Sequence, residues 1–136
     1  MVGYKEDLAA WSEQTARAIL ERRFEELDLE NVADEVLSLS IQERRALDSC
    51  LVQIMVHLLK CRYQQSRHTV SWDISIAKQR DSLEEILSDS PSLRPRVAER
   101  ILVRYKRACL EAAGETGLEL SVFPEVCPFT EVDILG

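Results

Sequence analysis

Glycine and proline are scarce, four of each in 136 residues. So few turn-forming residues leave little room for the closely spaced reversals of an all-β protein and favour long helices. No apolar run approaches the roughly 18 residues that a membrane span requires. The opening Met-Val-Gly-Tyr-Lys-Glu-Asp contains no apolar signal segment, so a cytoplasmic, non-exported protein is expected. The four cysteines, Cys50, Cys61, Cys109 and Cys127, lack framework spacing and form no Cys-x-x-Cys pair. Reduced thiols, mostly in helix interiors, with no bound metal, are therefore expected. A Gly-rich phosphate loop, a nucleophile elbow, a paired-carboxylate motif and a Glu-x-x-His run are all missing. Internal repeats and low-complexity segments are missing too.

What is present is ordinary for a globular chain: 46% hydrophobic and 30% charged residues. The length suits a single domain, 1–136, with a core that needs no covalent staples. Apolar periodicity predicts an all-α bundle of about five helices, near 6–22, 29–39, 41–64, 72–88 and 93–113, followed by an irregular tail over 114–136. The predicted inward faces are Leu8, Trp11, Thr15, Ala18 and Ile19; then Leu29, Val32, Ala33, Val36 and Leu37; then Leu47, Leu51, Ile54, Leu58 and Cys61. The fourth helix, capped by Ser71, turns Trp72, Ile76, Gln79, Leu83, Ile86 and Leu87 inward. The fifth turns Leu93, Val97, Ile101, Tyr105, Ala108 and Ala112 inward. A break near residue 40 is expected because Ser40-Ile41-Gln42-Glu43 reads as a capping box. Pro95 suits a first helical turn, Gly114 or Gly117 a helix end, and Thr130 the cap of a final turn.

Charge is unevenly spread over a net of −7. Residues 61–110 carry ten bases and six acids, whereas 111–136 carry six acids and no base. The predicted fifth helix places Arg96, Arg100, Arg104 and Arg107 at i, i+4, i+8 and i+11, a basic stripe about 16 Å long at 1.5 Å per residue. Such a stripe can hold a nucleic-acid backbone or an acidic protein. The acidic tail, with Glu119, Glu125, Glu131 and Asp133, or an acidic helix of a second copy is the expected cover for it, since the chain is acidic as a whole and no nucleic-acid module accompanies the stripe.

Cys50, His57 and Cys61 share one helical stripe at i, i+7 and i+11. Without a close ligand pair they are expected to be core residues and not metal ligands. His57 could line a small-molecule pocket with Tyr63 and Trp72; a buried, hydrogen-bonded histidine is the plainer expectation.

The order of several separate runs resembles a bacterial family known as domain of unknown function number twenty-nine. The matching runs are Phe24-Glu25-Glu26-Leu27-Asp28-Leu29-Glu30-Asn31-Val32-Ala33, Glu43-Arg44-Arg45-Ala46-Leu47, His57-Leu58-Leu59-Lys60, Ser71-Trp72, Gln79-Arg80, Ser90-Pro91-Ser92-Leu93, Glu115-Thr116-Gly117-Leu118, Phe123-Pro124 and Cys127-Pro128. Family members often carry Trp after the His-Leu-Leu-Lys run, where this chain has Cys61. The resemblance implies an all-helical fold and transfers no catalytic residue. The function expected is a non-catalytic interaction module without a cofactor, working through self-association or a protein partner. The alternatives are a nucleic-acid regulator using the arginine stripe, and a binder or hydrolase with a pocket near His57.

Overall fold

A computed structural model describes all residues, Met1–Gly136. The protein is all-α, with helices α1 (Leu8–Leu20), α2 (Leu29–Tyr63), α3 (Val70–Asp89), α4 (Val97–Thr116) and α5 (Glu131–Leu135). Short 3-10 turns cover Phe24–Glu26, Gln65–Arg67, Pro91–Arg96 and Leu120–Val122. No helix is long and apolar enough to cross a membrane. The chain falls into two compact units, Met1–Ile41 and Gln42–Gly136.

The largest departure from the sequence expectation is that the predicted 29–39 and 41–64 helices are one helix. Ser40 caps nothing; its hydroxyl donates to the Leu37 carbonyl at 2.9 Å, inside the helix. Serine can satisfy its hydroxyl either way, and no Gly or Pro lies between Leu29 and Tyr63 to stop propagation. The start of α2 follows expectation: Asp28 accepts from the Asn31 amide at 3.3 Å.

In the unit Gln42–Gly136, α2 is the central element. Leu47, Leu51, Ile54, Met55, Val56 and Leu59 are essentially inaccessible, while the predicted Leu58 and Cys61 are half-buried. From α3 come Ile76, Leu83 and Leu87, and α4 buries the whole predicted set from Val97 to Ala112. The first turns before α4 are 3-10 and not α, because Pro95 has no amide to donate to the Pro91 carbonyl four residues back; regular helix begins at Val97. Thr69, not Ser71, precedes α3. Gly117 ends α4 at φ +76°, a left-handed conformation in which any β-carbon is strained.

The tail is structural. Phe123, Phe129 and Ile134 enter the core of this unit, and Tyr105 donates to the Pro124 carbonyl at 2.6 Å. Arg80 of α3 donates to the Asp133 and Ile134 carbonyls at 2.7 and 3.0 Å, neutralising the carboxyl end of α5. Thr130 and Asp133 form a reciprocal capping box, and the Thr130 contacts lower the Asp133 pKa. A depressed carboxylate contributes stability above its unfolded pKa and loses it as pH falls through the folded value. Thr130→Ala is thus expected to cost about 1 kcal/mol near neutrality, and less in acid, as urea melts at pH 7 and pH 3 will show.

Candidate functional site

The unit Met1–Ile41 is a pair of helical segments with almost no core. Tyr4 donates to Glu35 and meets Trp11 edge-on at 4.8 Å, so α2 returns antiparallel beside α1. Only Trp11, Thr15 and Ala18 are buried here. Leu8, Ile19, Leu29, Val36 and Leu37, all predicted to face inward, are 54, 40, 68, 62 and 60% exposed. The periodicity located the apolar face correctly, but the chain supplies too little surface to cover it.

That face is geometrically regular. On α1, Leu8, Ser12, Thr15 and Ile19 sit at i, i+4, i+7 and i+11, with Thr15 alone of the four buried; on α2, Leu29, Ala33, Val36 and Ser40 repeat the same spacing. Each row contains no charge, and Leu39 and Leu37 widen the second. In each helix the row lies to the same rotational side of the residues it packs with, Trp11 and Ala18 on α1, Val32 and Glu35 on α2. Equal rotation on antiparallel helices turns both rows to one side of the hairpin. The charges lie elsewhere, with Glu13 and Arg17 on the back of α1 and Glu30 and Asp34 on the outer flank of α2. Ten acids and four bases leave this unit strongly acidic around an uncharged apolar surface.

Of the arginine stripe, Arg100, Arg104 and Arg107 lie on α4, and Arg100 and Arg104 are half-buried. Arg100 grips Asp48 of α2 in a bidentate pair at 2.9 and 2.7 Å, which pushes the guanidinium pKa up. Arg107 pairs with Glu111 at 3.2 Å, while Arg96 precedes α4 in the 3-10 turn. Arg104 has a buried Nε without a partner and lines a cleft with Arg45, Asp48, Gln53, Arg107 and Glu111. The ion-pair partners of the stripe therefore come from α2 and α4. The carboxylates of the tail do not cover it, contrary to the sequence expectation; the tail's aromatic residues are drawn into the core instead.

His57, Tyr63 and Trp72 each have a different neighbour. His57 Nδ1 lies 2.8 Å from the Gln53 carbonyl of its own helix. Tyr63 packs edge-on against Phe123, and Trp72 contacts His68 and lies under Lys60 Nζ at 4.8 Å. All four cysteines are free thiols, and burial raises the pKa of each. Such thiols are poor nucleophiles at neutral pH.

A cluster the sequence pattern did not reveal lies where α2 turns into α3. Donor atoms of Cys61, His68 and Asp73 all fall within 4.8 Å of one another. The signal was a Cys-x6-His-x4-Asp spacing, too loose to recognise without knowing that the chain reverses across Gln65–Arg67.

The family model described as domain of unknown function DUF29 matches residues 3–136. Neither a curated protein nor a solved structure gives a significant match to the chain. With essentially its whole length matched and an all-α fold as that resemblance implies, the chain belongs to the DUF29 family.

Proposed function

We propose that this protein is a non-catalytic interaction module of the cytoplasm, and that the apolar face of its Met1–Ile41 hairpin docks onto the same face of a second copy. The observation that carries the reading is the uncharged double row of Leu8, Ile19, Leu29 and Val36, widened by Leu37 and Leu39. Full burial of one such side chain is worth about 1.5–3 kcal/mol, so six of them, each about half exposed, gain roughly 5–9 kcal/mol per copy. Two copies in an isologous contact gain about 10–18 kcal/mol, comparable with or above the 4–15 kcal/mol cost of association. One copy also offers the matching surface: two helical hairpins, face to face, complete a four-helix bundle. A unit of about 40 residues without a disulfide or metal commonly depends on such completion.

The acidic flanks give the reading a distinctive salt dependence. Two negatively charged hairpins repel at long range, so added salt should strengthen the dimer. A complex held by charge, with a basic protein or with nucleic acid on the arginine stripe, weakens in salt instead. Thermal melting over a hundredfold range of concentration tests the proposal. Tm is expected to rise with concentration, since association binds only the folded state. Val36→Glu should make Tm independent of concentration. A wild-type Tm that does not move with concentration would oppose self-docking and favour a different protein as the occupant.

A further inference from the structure

We propose that Cys61, His68 and Asp73 form a binding site for one zinc-class divalent cation. The three donors come from consecutive pieces of chain. Cys61 lies in the last turn of α2, His68 follows the 3-10 turn Gln65–Arg67, and Asp73 lies in the first turn of α3. The set is a sulfur, a ring nitrogen and a carboxylate oxygen, each an established zinc donor. Their atoms lie within 4.8 Å of one another, and His68 Nε2 is already 2.9 Å from Asp73 Oδ1. Zinc bonds of about 2.3 Å to sulfur and 2.0–2.2 Å to nitrogen and oxygen put tetrahedral donors roughly 3.3–3.7 Å apart. Closing the cluster therefore takes about an ångström of movement, and the exposed His68 and Asp73 side chains can supply it.

The Trp72 indole borders the cluster. The Trp72 ring meets the His68 imidazole edge-on at 5.8 Å, with Lys60 stacked over the same indole. Cys61 is half-buried, which limits competing reactions of its thiol. Binding would form a metal–sulfur bond and release the thiol proton to water, with no change of oxidation state. Three protein ligands leave the fourth position to solvent, the pattern of an open site and not of a closed structural one. The expectation of a metal-free chain rested on the absence of close ligand pairs, whereas this set is assembled by the reversal between two helices.

Titration of the intact protein with Co(II), the spectroscopic probe for such a site, decides the matter. One equivalent should produce a thiolate-to-cobalt band in the near ultraviolet and visible d–d bands, both displaced by Zn(II). Cys61→Ser should abolish the charge-transfer band. His68→Ala and Asp73→Asn should each weaken Zn(II) binding about tenfold or more in competition with a chromophoric chelator. Cys127→Ser, which removes another half-buried thiol, should leave the spectrum unchanged, and circular dichroism confirms that each variant is folded. The absence of a charge-transfer band in the folded wild type, or a spectrum that survives Cys61→Ser, would overturn the proposal.

Discussion

Removal of residues after Gly117 is expected to unfold the Gln42–Gly136 unit. The tail contributes Phe123, Phe129 and Ile134 to its core. Deleting two buried Phe and one buried Ile forfeits about 8–15 kcal/mol, counted from single large-to-small substitutions. Whole domains are typically stable by about 5–15 kcal/mol, so little or nothing remains. The Tyr105 bond to Pro124 and the Arg80 bonds to α5 disappear with the same segment. Far-ultraviolet circular dichroism of the truncated chain should show most of the helical signal gone and no cooperative melt. A truncated form that melts cooperatively within a few degrees of the intact protein would show that the tail is only a surface strap. That outcome would revive the idea that it shields the arginines.

Leu51→Ala tests the same core from its centre. Leu51 is fully inaccessible on α2 and belongs to the cluster joined by side chains of α3, α4 and the tail. A Leu→Ala change at such a site costs about 2–5 kcal/mol, the lost transfer free energy plus the cavity it leaves. The urea midpoint should fall accordingly, with the slope unchanged. A loss below about half a kcal/mol would mean that the face was misassigned, because even full collapse of the cavity leaves the lost transfer free energy.

Legibility of the fold in the sequence followed one physical rule. Periodicity shows which side of a helix is apolar, but not whether the same chain covers it. On α4 and the turn before it, the six predicted residues from Leu93 to Ala112 are all buried, because α2, α3 and the tail supply enough neighbours. On α1 and the start of α2 the same reasoning chose Leu8, Ile19, Leu29 and Val36, and these remain exposed for want of a partner. The break at Ser40 failed for a local reason: a capping box and a helix-interior serine share one sequence signature, and only a breaker residue would have separated them. The Thr130 cap succeeded because Pro128 lies just upstream and Asp133 completes the box.

The candidate sites divide in the same way. Arg96, Arg100, Arg104 and Arg107 could be located as a stripe, and the Arg107–Glu111 pair is an i,i+4 neighbour on one helix; the Arg100 partner Asp48 could not be found, since pairing across helices depends on packing. Cys61 attracted attention through the wrong companions: Cys50 is buried, and His57 turns to its own backbone. His68 and Asp73 reach Cys61 only because the chain doubles back after Tyr63.

Sedimentation equilibrium of the intact protein is the most direct measurement of the self-docking claim, run beside the Leu29→Glu, Val36→Glu double variant at low and high salt. The account predicts a monomer–dimer equilibrium for the wild type, tighter at high salt, and a monomer at both salt concentrations for the variant, still melting cooperatively through its Gln42–Gly136 core. A wild type that stays monomeric at every concentration, or a dimer that survives both substitutions, would contradict it.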